Sequence, residues 1–234
     1  MKSMRHFVSM CGTSAAVVSA MAFSSVVHAE PDRGLLFYAG FEGTLDAAFS
    51  RGDGRAVLAK GRPGLVEGVR GRAVRCGVAD GNLAYPVEKN LNPAEGTIEM
   101  WFSPADWDGA DHEFHVFFRA VDPGWLQLYK YGPSNNILFL TSADRKTWTC
   151  ASNFRGPELK QGRWYHLAAT WKEGEVRLFL DGREHPPAPP LAQWLIPRKV
   201  TGQFTLGDPP QDGQGRGTTL LDEVYVYGRA LSEE

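Results

Sequence analysis

Short runs in which apolar and polar residues alternate recur along most of the chain. In the runs at 97–102 (TIEMWF) and 175–180 (EVRLFL), one set of alternate residues is wholly apolar. A period of two is that of a β-strand with one buried face. A helical period is nearly absent, and 26 glycines and 15 prolines separate the runs. Similar runs lie at 34–41, 114–118, 125–131, 136–141, 147–151, 164–171, 204–207 and 222–228. The pattern predicts roughly ten or more short strands, and so an all-β sandwich or barrel.

The N-terminus has a different pattern. Two basic residues precede a stretch without charge that runs from residue 7 to residue 27. Val27 and Ala29 then supply the small residues that signal peptidase requires. A transmembrane anchor is the alternative, but the stretch is rich in Ser and Ala and poor in Leu and Ile. We therefore predict a signal peptide at 1–29, one domain at 30–234, and a secreted, periplasmic or cell-surface location.

The charge of the chain limits the classes of partner that it could bind. The formal net charge is −2 and no basic run is present, so we predict no nucleic-acid partner and no membrane insertion after signal cleavage.

Cys76 and Cys150 follow the predicted cleavage site. In an oxidising compartment they could form a disulfide, and the alternative is two separate buried thiols. The sequence leaves both open.

Five blocks of sequence occur in a characteristic order. They are FEGTLD at 41–46, GVRGRAV at 68–74, GTIEMWF at 96–102, GRWYHLAATW with VRLFLDG within 162–182, and LDEVYVYGRALS at 221–232. In this order they resemble the LamG-like jelly-roll domains of the concanavalin A-like lectin/glucanase superfamily. The resemblance covers nearly the whole predicted domain. It implies a two-sheet antiparallel β-sandwich in which the N- and C-terminal strands are neighbours.

Catalytic groups do not follow the pattern that the resemblance would imply. Glucanases of the superfamily carry paired carboxylates spaced E-x-D-x-x-E on one strand, and this spacing does not occur here. Glu99 stands alone in its run. Asp222 and Glu223 are adjacent, so strand alternation predicts that they point to opposite faces. We therefore predict no catalytic residue in this domain.

The resemblance also implies a structural calcium ion. Glu42 and Asp222 lie in the terminal runs that it makes neighbours, so they are the predicted ligands, with Asp208 and Asp212 as further candidates. Calcium takes six or more oxygens, mostly from carboxylates and carbonyls. The alternative is that Asp222 accepts hydrogen bonds from the backbone amides of a turn while Glu42 is solvated. The acidic segment 106–115 is interpreted first as a solvent-facing loop, and only second as a metal site.

A strip of aromatic and amide residues is the candidate ligand site. Trp125, Gln127, Tyr129 and Tyr131 alternate along one run and would share a face, and Trp148 follows nearby. Sugar recognition combines aromatic faces with a few polar groups. The alternative is that these rings fill the sandwich.

These observations favour an exported, non-catalytic binding or adhesion module. Its predicted partner is a glycan or another extracellular surface, and it could be the N-terminal module of a larger secreted protein. One alternative is a secreted glycoside hydrolase of the glucanase branch, or an accessory domain of one. A second alternative is a structural domain for protein–protein interaction.

Overall fold

The computed structural model describes residues 34–184, 195–207 and 217–232. Within these ranges there are sixteen β-strands, one 3-10 turn (Gly156–Glu158) and no α-helix. No helix in the described part of the chain is long and apolar enough to cross a membrane. The predicted signal peptide, its cleavage site, and Asp208 and Asp212 lie outside the described residues.

The strands form two layers with antiparallel pairing. Sheet A has the order β14 (Arg183–Glu184), β13 (Glu175–Leu180), β12 (Tyr165–Lys172), β7 (Gly96–Pro104), β16 (Thr218–Tyr227), β5 (Arg72–Gly77) and β4 (Gly64–Glu67), with β1 (Leu35–Ala39) on β16 and β2 (Phe49–Ser50) on β1. Sheet B has the order β11 (Thr149–Asn153), β10 (Ile137–Ser142), β9 (Trp125–Lys130), β8 (His115–Val121), β15 (Gln203–Leu206), β6 (Gly81–Pro86) and β3 (Val57–Gly61). Gly77 of β5 and Gly81 of β6 pair where the two sheets join.

Rings from both sheets meet in the core between them. Phe102 of β7 lies 4.6 Å from Phe117 of β8, and Trp171 of β12 lies 5.5 Å from Phe139 of β10, measured between ring centroids. All four side chains are fully buried. Full burial of one such ring contributes about 2–3 kcal/mol. The predicted antiparallel β-sandwich is confirmed.

The N- and C-terminal strands are neighbours, as the resemblance implied. Tyr38 of β1 pairs directly with Tyr225 of β16. On its other side β16 pairs with β7 along most of its length. The C-terminal strand therefore lies inside sheet A, and β1 and β5 share its second edge.

β16 contains an extra residue opposite β7. Leu221 and Val224 are both core residues, and the register with β7 shifts beyond Asp222. Glu223 has a φ of 48°, which is uncommon for a residue other than glycine. Two residues therefore lie between core positions where a regular strand has one. Asp222 and Glu223 both contact Arg70, at 3.0 Å and 3.7 Å. The prediction that they point to opposite faces is wrong.

The two cysteines are separate. Cys76 is buried in β5 of sheet A, whereas Cys150 is exposed on β11, the edge strand of sheet B. Neither thiol forms a disulfide. The pairing alternative is therefore wrong, because the two strands are far apart in the order of the sheets. The alternative of two thiols holds, except that only Cys76 is buried.

Candidate binding site on sheet B

The predicted aromatic strip lies on the outer face of sheet B. Leu126 and Leu128 of β9 are core residues, and Trp125, Gln127 and Tyr129 alternate with them. The strip therefore points away from the sandwich interior. Residues on neighbouring strands continue it in register, forming one row across the sheet: Ala84, Thr205, Arg119, Gln127, Leu140 and Cys150.

Trp125 and Trp148 meet at one end of this face. Their ring centroids lie 5.2 Å apart with the planes at 85°, so the contact is edge to face. The indole Nε1 of Trp125 donates to Oε1 of Gln127 at 3.1 Å. Trp125 retains only 9% exposure, whereas Trp148 retains 42%. Trp148 is therefore the accessible ring of the pair, and Trp125 supports it.

Tyr129 and Tyr131 occupy the other end of the strip. Tyr129 is buried in a small cluster with Val116 and Leu138, and Tyr131 packs at its margin. Phe114 contacts both tyrosine rings. This second cluster lies outside the main core. The alternative that the rings fill the interior of the sandwich is therefore wrong for Tyr129 and Tyr131. Most of the ring of Tyr129 is nevertheless covered.

Two arginines that the sequence analysis did not select flank Trp125. The Cζ of Arg119 lies 5.9 Å from the centroid of the Trp125 ring, and the Cζ of Arg145 lies 5.5 Å from it. Arg119 belongs to the row on β8, and Arg145 lies in the turn between β10 and β11. The register of the consecutive strands β8, β9 and β10 brings the two arginines to one ring, and no single run of alternating residues specifies that register.

The predicted calcium ligands converge on the turn 68–71 between β4 and β5. Arg70 N donates to Oδ2 of Asp222 at 3.0 Å, and Arg72 N donates to Oε1 of Glu42 at 3.3 Å. A Cβ at Gly71 would overlap the Glu42 carboxylate, so glycine is required for this approach. Burial raises the pKa of Asp222 to about 6.

This geometry fits a calcium site only in part. Asp222 accepts backbone amides, as the alternative interpretation has it, and two carboxylates are fewer than the oxygens that calcium takes. Among the described residues, no three carboxylate, imidazole or thiol side chains surround one point. The calcium ion therefore stays a prediction.

Glu99 and Glu223 belong to a polar cluster on the outer face of sheet A. The hydroxyls of Tyr38 and Tyr225 donate to the two oxygens of Glu223, at 2.8 Å and 2.9 Å. Burial and the Glu223 carboxylate raise the pKa of Tyr38 to about 12. Glu99 accepts from Tyr227 at 3.3 Å and lies 3.6 Å from the His166 ring. Each carboxylate thus contacts side chains on a neighbouring strand. Glu223 links β16 to β1, and Glu99 links β7 to β16 and β12.

The acidic segment 106–115 is more buried than a solvent-facing loop. Asp111 contacts the fully buried Lys130 at 2.5 Å and the ring of His115 at 2.7 Å. The Trp107 ring stacks on His115 with centroids 3.7 Å apart. Lys130 also donates to Oδ1 of Asn135 at 2.9 Å. The loop interpretation is wrong for Asp111, which compensates a buried cation.

A family model described as the concanavalin A-like lectin/glucanases superfamily matches residues 77–234, more than half of the chain. The chain belongs to this superfamily. The resemblance and the fold class predicted from the sequence are thereby confirmed.

Solved structures with the same fold include binding domains. Domain 4 of AbnA, a GH43 extracellular arabinanase from Geobacillus stearothermophilus, in complex with arabinotriose, has a TM-score of 0.66 and 19% identity over 85% of this chain and 95% of that one. The binding domain of Paraclostridial Mosquitocidal Protein 1 has a TM-score of 0.68 and 12% identity, over 86% of this chain and 50% of that one. The receptor binding domain of botulinum neurotoxin mosaic serotype C/D has a TM-score of 0.67 and 11% identity, over 85% of this chain and 48% of that one.

At identities of 11–19%, these likenesses show the fold alone. The chain spans about half the length of the two toxin binding domains. A search of curated proteins found no significant match.

Proposed function

We propose that the chain is an exported, non-catalytic module that binds a saccharide on the outer face of sheet B. The observation that carries the proposal is Trp148, a large ring that is 42% exposed and fixed edge to face against Trp125. Aromatic rings bind the apolar faces of sugars, and amide and hydroxyl groups bind their hydroxyls. Gln127 and Thr205 supply such groups in the adjoining row.

Relatives with this fold support binding as the activity. The arabinanase domain is described in complex with arabinotriose, and the toxin domains are described as binding or receptor binding domains. Another solved structure with this fold is of botulinum neurotoxin type C. Its description says that cell entry of that neurotoxin depends on interaction with two ganglioside molecules. We extend saccharide binding from these proteins to the present chain as a hypothesis.

Export is part of the same proposal. It rests on the uncharged stretch that ends at Val27 and Ala29, and an extracellular glycan is the partner that fits it. A calcium ion held near Glu42 and Asp222 would be structural rather than part of the saccharide site, because both carboxylates lie against the turn 68–71 of sheet A.

A glycan array with the chain from residue 30 tests the proposal, followed by isothermal titration with the saccharides that bind. Trp148→Ala is expected to weaken binding by about tenfold or more, since one stacked ring contributes on the order of 1–2 kcal/mol. Phe154→Ala is the matched control, because Phe154 is 52% exposed and follows β11, whereas Trp148 precedes this strand and so lies at its other end. The melting temperature of both variants should stay close to that of the parent chain.

Two results would contradict the proposal. If no saccharide on the array is bound, the site does not have this function. If Trp148→Ala binds as tightly as the parent, the ring does not form the site. Reducing-end assays on the bound saccharides test the alternative of a glycoside hydrolase, and hydrolysis by the purified chain would replace the non-catalytic assignment.

A further inference from the structure

A weak ion pair lies beside the exposed ring of the proposed site. Nη1 of Arg145 and Oδ1 of Asp122 are 3.9 Å apart, and the two side chains are 46% and 74% exposed. The Cζ of Arg145 also lies 5.5 Å from the centroid of the Trp125 ring, which Trp148 contacts edge to face. The guanidinium, the carboxylate and the accessible indole therefore belong to one part of the surface.

The backbone of Asp122 is fixed although its side chain is exposed. Its φ is 79°, in the left-handed region that few residues other than glycine adopt. The carbonyl oxygen accepts hydrogen bonds from the amide and the hydroxyl of Thr201, at 2.8 Å and 3.1 Å, and the amide donates to the carbonyl of Gly124 at 2.8 Å. These bonds limit where the carboxylate can lie at the end of β8.

Arg145 is held in a similar way in the turn between β10 and β11. Its φ is 59°, again left-handed. Its amide donates to the hydroxyl oxygen of Ser142 at 2.8 Å. The carboxylate of Asp144 accepts the amides of Lys146 and Thr147, both at 2.9 Å. Because such sparsely populated backbone conformations cluster at active sites and ligand clamps, the pair is a candidate for the polar part of this site.

The separation of the pair fits one hydroxyl group. At 3.9 Å the nitrogen and the oxygen are too far apart for a hydrogen bond to each other. A hydroxyl oxygen about 2.8 Å from each of them can accept from the guanidinium and donate to the carboxylate. Both bonds would be to charged groups, which makes them stronger than bonds between neutral groups. An exposed ion pair at this distance contributes little by itself, so the hydroxyl displaces little.

We infer that Asp122 and Arg145 bind one hydroxyl group of the sugar whose ring stacks on Trp148, and that this hydroxyl must be free. The inference rests on the proposed function, since it assigns the group by which that site selects its saccharide. A sugar hydroxyl both donates and accepts, whereas a methyl ether only accepts and a deoxy position does neither. The ligand class is therefore a saccharide with an unsubstituted hydroxyl beside the apolar face that the indole binds.

The first experiment titrates derivatives of the saccharide that the array identifies, with the chain from residue 30. Each hydroxyl of the bound sugar is removed in one derivative and methylated in another. We expect a position at which both derivatives bind about tenfold or more weakly, because hydrogen bonds to charged groups are lost there. If no hydroxyl is required in this way, the inference is wrong.

The second experiment combines these derivatives with two variants. Asp122→Asn and Arg145→Asn introduce a residue that tolerates the left-handed backbone conformation. Each variant is expected to bind the unmodified saccharide about tenfold more weakly. With the deoxy derivative of the required position the loss should nearly vanish, because the same bonds are already absent. Glu175→Gln is the control, since Glu175 forms an exposed ion pair of 3.5 Å with Lys172 on sheet A. Thermal melting checks that each variant is folded.

The outcomes separate this inference from the function beneath it. If Trp148→Ala weakens saccharide binding but both variants of the pair bind as tightly as the unsubstituted chain, saccharide binding stays and the role of the pair is removed. The same holds if the variants lose equally with every derivative, because the pair and the hydroxyl are then independent. If no saccharide on the array is bound, the proposed function and this inference both fail.

Discussion

His115 is held between an aromatic ring and an ion pair. Its imidazole stacks on Trp107 and contacts Asp111, whose other oxygen binds Lys130. Burial lowers the pKa of His115 to about 4, against the raising effect of Asp111. Burial acts to raise the pKa of Asp111, but hydrogen bonds, chiefly from Lys130, leave it below its ordinary value. A neutral imidazole and an ionised carboxylate are therefore the forms that the folded state prefers.

His115 should make the folded state sensitive to mild acid. Because its folded pKa is depressed below the ordinary 6.5, the unfolded chain binds a proton that the folded chain does not. The stabilisation is present above about pH 6.5 and is lost as the pH falls towards 4, by up to about 3 kcal/mol. Urea unfolding of parent and His115→Phe between pH 7 and 4.5 measures this, with His112→Gln, an exposed histidine of the same loop, as control. A parent-like pH slope in His115→Phe would rule out this source.

At the scale of single elements, the extra residue in β16 determines how β1 is held. It turns Glu223 towards the outer face of sheet A, where its carboxylate accepts both the Tyr38 and Tyr225 hydroxyls. The two rings stack with centroids 4.4 Å apart. One carboxylate thus links the first and last strands through side chains, in addition to their backbone pairing.

We expect Tyr38→Phe and Glu223→Gln to lower the free energy of unfolding by about 1–2 kcal/mol each, since each removes or weakens a hydrogen bond to a charged group. Tyr38→Phe keeps the stacked ring, so it isolates the hydroxyl. The double variant should lose less than the two single losses combined, because both act on one interaction. Strict additivity in denaturant unfolding would show that the hydroxyl and the carboxylate are not coupled.

The sequence could predict those features whose signal lies within one short stretch of chain, and not those that depend on how separate strands pair. The alternation in 164–171 and 175–180 gave β12 and β13, because strand period and turn residues are local. The extra residue at Glu223 was missed because the predicted run begins at residue 222 and leaves out Leu221, whose spacing of three from Val224 is what breaks the period of two. The contact of Arg119 and Arg145 with one ring depends on the register of three strands, which no single run specifies.

At the scale of the whole molecule, both ends of the described domain meet at the turn 68–71. Glu42 follows β1, Asp222 lies in β16, and each carboxylate accepts an amide of this turn or of the residue after it. The turn therefore bonds to segments that are 152 and 30 residues away in sequence.

A calcium ion at this junction would stabilise the entire sandwich, because a ligand that binds only the folded state shifts unfolding by mass action. We expect millimolar CaCl₂ added to EDTA-treated protein to raise the melting temperature by several degrees, on the order of 2–3 kcal/mol at a hundredfold excess over the dissociation constant. Glu42→Gln and Asp222→Asn should abolish the increase, whereas Glu158→Gln, at an exposed carboxylate on the last residue of the 3-10 turn, should retain it. MgCl₂ at equal concentration controls for ionic strength. A melting temperature that is the same in EDTA and in calcium would show that hydrogen bonds from the backbone amides of Arg70 and Arg72 alone hold the two carboxylates.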